Sequence, residues 1–177
     1  SDVQLIITAS MSPDHISPST AALIQAKLGL HQAAAFDVQA ACSGFLYALS
    51  VAKAFVASGT YKTILVVATE KMSAFMDYRD RSTCVLFGDG AAAAVVSSSP
   101  GYLQIDAISL GTDGSLAALI EIPAGGSRLP ASQKTLDEGL HYFKMAGREV
   151  YKHAIRRMRG AVEEALKMAQ LSEKEID

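Results

Sequence analysis

Cys42 stands in the run Phe36-Asp37-Val38-Gln39-Ala40-Ala41-Cys42-Ser43-Gly44-Phe45. There an apolar strand pattern gives way to a cysteine, a small residue, a glycine and a long apolar helix pattern. A thiol at such a junction points its sulfur at the amino end of the helix. The partial positive charge of that end favours thiolate over thiol, and the thiolate is the form that attacks a thioester. A lone cysteine in an apolar run is otherwise a small core hydrophobe, and the strand–Cys–Ser–Gly–helix context is what favours the nucleophile here. Cys84, in Thr83-Cys84-Val85-Leu86-Phe87, has no helix start after it and reads as a core thiol.

Other chemistry-bearing residues are weaker signals. Asp77, Arg79, Asp80 and Arg81 read as a solvated ion-pair face. Lys152, Arg156, Arg157 and Arg159 make a basic face on a helix, suited to solubility or to an acidic partner. The histidines 15, 31, 141 and 153 are scattered and give no metal-ligand spacing. Gly88-Asp89-Gly90-Ala91 is not followed by the Lys-Ser/Thr of a phosphate loop. It reads as a tight turn, with Asp89 satisfying turn amides.

The elements that must position Cys42 follow from periodicity. Residues 3–9 read as a buried strand. Ser17-Pro18 offers a capping hydroxyl followed by proline at the first helical position, so a helix is expected from there to about Leu28, ending at Gly29. A strand over 35–39 leads to Cys42. Residues 44–57 are apolar on nearly every face, which predicts a helix buried on all sides, closed by Gly59. Residues 64–68, Ile-Leu-Val-Val-Ala, suit a parallel strand covered on both faces. Strands are expected over 85–87, 91–96 and 103–110, and 111–145 is rich in loop residues. Gly147 to about Gln170 is an amphipathic helix with Val150, Ala154, Met158, Ala161, Val162, Ala165 and Leu166 as its apolar stripe. Ser172 and Glu175 have capping-box spacing. Alternating strands and helices predict an α/β fold, and a helix between sheets implies more than three layers.

The chain has 177 residues, half of them hydrophobic, with a net charge of −2 and two cysteines. That balance argues against nucleic acid as a partner and against a disulfide framework. No apolar run approaches the roughly 20 residues of a membrane span, and no signal-peptide pattern is present. A cytoplasmic location without membrane association is expected. The chain opens within a strand pattern and stops after an apolar residue, so it is expected to be a piece of a longer protein.

Four segments in order resemble the thiolase superfamily, and within it β-ketoacyl-acyl-carrier-protein synthase III. They are Asp37 to Phe45 around Cys42, Asp80-Arg81-Ser82-Thr83, Phe87-Gly88-Asp89-Gly90-Ala91, and Met145-Ala146-Gly147-Arg148-Glu149-Val150-Tyr151. The resemblance implies a layered αβαβα thiolase-like fold, here incomplete. Residues 1–100 would form part of the N-terminal half, 101–145 a connecting strand and loop-rich excursion, and 146–177 the start of the C-terminal half.

The resemblance also implies roles. Cys42 would accept an acyl primer from acyl-CoA, with its own backbone N–H in the oxyanion hole. Arg81 would stack on the CoA adenine. Met72, Phe87 and Met145 would line the acyl pocket. Gly147 and Arg148 would border the pantetheine tunnel, although many members carry a smaller polar residue at the second position. Ser17 falls where some members place an aromatic from the neighbouring subunit, so a longer primer pocket is expected. Lys152 and Arg156 would dock an acidic carrier protein. The implied reaction is decarboxylative condensation with malonyl-acyl carrier protein, in a homodimer, without a metal or redox cofactor. The family's catalytic His and Asn would lie beyond Asp177, and His141 and His153 do not match that histidine. Alternatives are a condensing enzyme of polyketide or quinolone starter chemistry, or an inactive fragment acting as a dimerising or carrier-binding scaffold.

Overall fold

The computed structural model describes residues 2–176. They fall into two units, one running to Lys71 and resuming over Asp89–Ile108, the other comprising Met72–Gly88 and the chain from Ser109 onward.

The first unit is built on a four-stranded sheet. In chain order its strands are β1 (Leu5–Ala9), β2 (Ala34–Val38), β3 (Thr63–Lys71) and β4 (Asp89–Ser97), and across the sheet the order is β2-β1-β3-β4. β1 runs parallel to both β2 and β3, with Leu5 opposite Ala34 and Ile64. β3 and β4 are antiparallel, from Thr63 opposite Ser97 to Lys71 opposite Asp89. Parallel neighbours need crossovers, and these are helices: α1 (Thr20–Lys27) between β1 and β2, and α2 (Gly44–Ala57) between β2 and β3.

All five residues of β1 are buried, because a helix covers each face. Leu5, Ile7 and Ala9 point into a cluster with Ala48, Ala52, Ile64 and Val66, flanked by Phe36, Val38, Phe45 and Leu49. Ile6 turns the other way and packs with Ala21 and Ala33, beside Ile24 and Leu65. Each fully buried aliphatic of this kind stabilises the fold by about 1.5–3 kcal/mol. α2 meets the sheet through Gly44, Ala48 and Ala52, one small residue per turn, which lets the helix lie close.

In the second unit, a 3-10 turn over Met72–Phe75 is followed by hydrogen-bonded turns to Leu86. A 3-10 segment, Gly114–Leu119, leads into β5 (Ile120–Glu121), which pairs antiparallel with β6 (Lys144–Met145). Between them lies α3 (Gln133–Asp137), capped by Ser132. α4 (Gly147–Ala169) ends at Gln170 in the left-handed conformation, and the Ser172–Glu175 capping box forms beyond it.

Several local expectations are corrected. α1 begins at Thr20 with Ser19 as its cap, not at Ser17-Pro18, because Ser19 accepts the Ala22 N–H and the Asp37 carboxylate takes the N–H groups of Thr20 and Ala21. Residues 85–87 form no strand. Turn bonds from the Thr83 and Cys84 N–H groups to the Asp80 carbonyl bend the chain there, and the Asp80 side chain reinforces them. Asp89 and Gly90 are not a turn but the first residues of β4, with Asp89 paired to Lys71 across the ladder at 3.6 Å. Residues 103–110 carry no strand assignment; the Asp106 carbonyl instead accepts from the Lys53 ammonium at 2.6 Å. α2 is buried on one stripe rather than all round, with Leu46 half-exposed. The apolar face of α4 stays open as well, Met158 and Val162 being exposed.

Candidate active site

Cys42 owes its position to a sharp reversal between β2 and α2. β2 ends at Val38. Ala40 takes φ −142° and ψ 35°, and Ala41 is forced to φ 46°. That is the left-handed region, which costs a residue with a Cβ about 1 kcal/mol. A single 3-10 turn, Ala41–Ser43, then carries the cysteine directly into α2, with the Ser43 N–H donating to the Ala40 carbonyl at 3.2 Å. The thiol is left exposed at the amino end of α2. Strain of this kind persists only where surrounding structure over-determines it, and two anchors do so here.

The first anchor is Gly44, the opening residue of α2. A Cβ built there would lie 3.1 Å from the Ala9 side chain, so the helix start is pressed against the end of β1. The second is Asp37. Its two carboxylate oxygens accept the N–H groups of Thr20 at 2.7 Å and Ala21 at 2.8 Å. The strand that delivers Cys42 is thereby tied to the first turn of α1. Glu70 holds the loop after β1 in a similar way: it accepts from the Met11 N–H at 2.9 Å and from the Ser12 hydroxyl. Ser17 lies exposed beyond that loop, just ahead of α1.

Cys42 and Ser17 belong to the sheet unit, whereas Met72, Arg81, Phe87, Met145, Gly147 and Arg148 belong to the second. Met72 is buried. Phe87 packs edge-on against Phe143, with ring centroids 4.7 Å apart. Phe143 is itself buried and anchored by its N–H to the Phe75 carbonyl at 2.8 Å. Met145 reaches Gly147, its Cε lying 3.5 Å from where a Cβ would stand on that glycine. Of these candidates Met145 and Gly147 lie together, Phe87 packs on Phe143, and Arg81 and Arg148 are exposed.

The turn that carries Arg81 is organised by two aspartates. Asp77 accepts three N–H bonds from Arg79, from its backbone and from its Nε and Nη2. These hold its carboxyl below the usual aspartate range and raise the Arg79 guanidinium in turn. Asp80 is likewise depressed, chiefly by the hydrogen bond from the Ser82 hydroxyl.

On α4, Lys152 pairs with Glu149 at 2.9 Å and Arg159 with Glu163 at 2.7 Å. Arg157 reaches Asp113, whose carboxyl is lowered first by the Ser115 hydroxyl and also by that arginine. Among the described residues no carboxylate pairs with Arg156. His141 is held by Thr135, Nε2 to Oγ1 at 2.9 Å, and its ring fills the space beside Gly125. The Nδ1 of His153 is buried with no hydrogen-bond partner among the described residues. No group of three or more His, Cys, Asp or Glu among those residues could hold a metal ion, and no helix there is long and apolar enough to cross a membrane.

Asp37, Ala41 and Phe143 were not singled out by sequence reasoning. Asp37 had a signal, a carboxylate inside an otherwise apolar strand. Phe143 had none beyond its place before Met145.

A mixed sheet with helical crossovers on both faces, and a cysteine on a strained turn at a helix start, define a thiolase-like α/β fold. The 3-oxoacyl-[acyl-carrier-protein] synthase III family matches over residues 36–114. The β-ketoacyl-[acyl-carrier-protein] synthase III of Chlamydia pneumoniae is 53% identical over 176 residues, 99% of this chain and 52% of that protein. Over nearly its whole length the chain is similar to these proteins. Its fold matches the solved β-ketoacyl-[acyl-carrier-protein] synthase III of Thermus thermophilus with a TM-score of 0.87 at 40% identity, covering 99% of this chain and 53% of that one. The 3-oxoacyl-[acyl-carrier-protein] synthase III of Aquifex aeolicus VF5 gives a TM-score of 0.84 at 41% identity, with 98% and 52% covered. The chain spans about half the length of the curated relatives it matches.

Proposed function

We propose that the intact protein is a condensing enzyme that starts fatty-acid synthesis, with Cys42 as its acyl-accepting nucleophile. The Cys42 sulfur attacks the carbonyl carbon of an acyl-CoA. The resulting oxyanion is stabilised by backbone N–H groups, including that of Cys42 itself, and CoA leaves as its thiol after taking up a proton. Malonyl-acyl carrier protein then enters and loses CO2. The carbanion so formed attacks the acyl-Cys42 carbonyl, giving a β-ketoacyl carrier protein and the free thiol. Two substrates in succession at one thiol imply ping-pong kinetics. Thioester cleavage and CO2 release supply the driving force, so the reading includes no metal or redox cofactor.

The observation that carries this reading is the exposed thiol set on the Ala41 turn at the start of α2. The small Ser17 side chain supports acceptance of primers longer than acetyl. Exposed Arg156, with Lys152 beside it on α4, supports docking of an acidic carrier protein. The open outer edge of β4, where Val95 is 63% exposed, supports a homodimer. The relatives that share 45–53% identity carry the fatty-acid enzyme's name, which gives the polyketide, quinolone and scaffold readings less support.

The test is the intact mass of the protein before and after incubation with acetyl-CoA. Addition of one acetyl group, lost in Cys42→Ala, is the expected result. An unchanged mass for the unaltered protein would overturn the reading.

A further inference from the structure

We propose that Glu70 is a positioning residue for Cys42, holding still the wall against which the turn of the thiol is set. β1, β2 and β3 run parallel, so their carboxyl ends lie along one edge of the sheet. That edge is where open α/β sheets place their reactive groups. Cys42 follows the end of β2. Ala9 ends β1, and a Cβ built on Gly44, the opening residue of α2, would lie 3.1 Å from its side chain. Glu70 stands next to last in β3. All of these residues belong to the sheet unit.

The ladder between β1 and β3 runs as far as Ala9 opposite Ala68. Beyond it, side chains carry the link. The Glu70 carboxylate gives one oxygen to each of two neighbouring residues: Oε1 accepts the Met11 N–H at 2.9 Å, and Oε2 accepts the Ser12 hydroxyl. The Ser12 oxygen in turn accepts the Lys71 N–H at 2.8 Å, and the Ser12 N–H donates to the Ser10 Oγ at 3.1 Å. The chain leaving Ala9 is thus fastened to the end of β3 within three residues.

The consequence reaches Cys42 through Ala9. If this wall shifts, the start of α2 shifts with it, and the Cys42 N–H, two residues from Gly44, loses its aim at the carbonyl oxygen of a thioester. Acyl transfer depends on that donor, because an oxyanion forms there. Alkylation by iodoacetamide does not: the same sulfur bonds to the methylene carbon, iodide leaves, and no oxyanion arises. Glu70 therefore acts on acylation through Met11, Ser12 and Ala9, by setting the backbone of Cys42 rather than the reactivity of its sulfur.

The inference rests on the reading that Cys42 is acylated from acyl-CoA. The test compares two rates at Cys42 in the intact protein: acetylation by acetyl-CoA, read by intact mass, and alkylation by iodoacetamide, read on the Cys42 peptide. Glu70→Ala is expected to lower the maximal acetylation rate about tenfold, less than the roughly hundredfold that a misplacement of about 1 Å can cost. The half-saturating acetyl-CoA concentration and the alkylation rate should stay within about twofold. Glu70→Gln keeps an acceptor for the Met11 N–H and offers an N–H to the Ser12 oxygen, so it should recover most of the loss. Ser12→Ala should give a smaller loss in the same direction and serves if Glu70→Ala does not fold. Alkylation that falls in step with acetylation would make Glu70 merely structural and overturn the proposal. So would an undiminished acetylation rate, or a Glu70→Gln protein no better than Glu70→Ala. An unaltered protein that is alkylated at Cys42 but not acetylated would instead defeat the reading of Cys42.

Discussion

Gly44 is the most informative position for asking whether close packing sets the nucleophile. Its backbone is ordinary right-handed helix, at φ −51° and ψ −41°, so alanine is conformationally free there. The obstacle is steric alone. The added Cβ would lie 3.1 Å from the Ala9 side chain and 3.9 Å from the Ala9 Cα, whereas relaxed carbon contacts sit at about 3.5–4.0 Å. Ala9 is 3% exposed in β1, between two paired strands, and cannot retreat. The start of α2 must lift by several tenths of an ångström, and Cys42 lies two residues away. Overpacking of this kind costs about 1–3 kcal/mol, while alanine returns at most about 1 kcal/mol of helix propensity. Gly44→Ala should therefore lose about 1 kcal/mol net by urea unfolding and slow acylation of Cys42 by acetyl-CoA. Ala9→Gly combined with it should restore the acylation rate. The double-mutant cycle should then show a favourable coupling of about 1 kcal/mol or more. A Gly44→Ala protein of undiminished stability and rate, or a cycle without coupling, would refute the argument that this contact places the thiol.

Two further outcomes are expected. Asp37→Ala removes the two carboxylate oxygens that accept the Thr20 and Ala21 N–H groups and should destabilise by about 2–3 kcal/mol, as for other charged hydrogen bonds, with acylation slowed in parallel; a loss under half a kcal/mol by urea unfolding would count against the tie. Asp77, Asp80 and Asp113 have folded values depressed below the ordinary 3.8 by their hydrogen bonds. Their stabilisation is thus full above that value and is lost as pH falls through the lower folded ones. Stability measured from about pH 5 down to about pH 3 should fall less steeply in Asp80→Asn than in the unaltered protein, and identical slopes would contradict this.

The limits of sequence reading lie in the particulars. α2 was legible at both ends, 44–57, because an apolar run stands between Gly44 and Gly59. α4 was legible because its apolar stripe recurs at helical spacing from Val150 to Leu166, within the helix Gly147–Ala169. The start of α1 was not, since Ser17, Pro18 and Ser19 all suit a helix start and Asp37, distant in sequence, helps decide among them. Residues 85–87 carry strand-forming side chains, yet Asp80 captures the preceding turn first, a local competition that composition does not display. At the site, Cys42 could be found from its flanks. The positive φ of Ala41 could not, because alanine gives no sign of that conformation and only the packing of Gly44 and the tie at Asp37 impose it.

The chain leaves β3 at Lys71 and re-enters the sheet at Asp89, directly opposite. The whole segment 72–88, with Met72, Arg81 and Phe87, thus hangs from two points already clamped side by side. Its ends are joined whatever its sequence, so the entropy of bringing them together is met by the ladder and changes little with length. Such a segment behaves as a cassette. Insertions or exchanges within it leave the β3–β4 register untouched, so the sheet that carries Cys42 does not depend on what the segment contains.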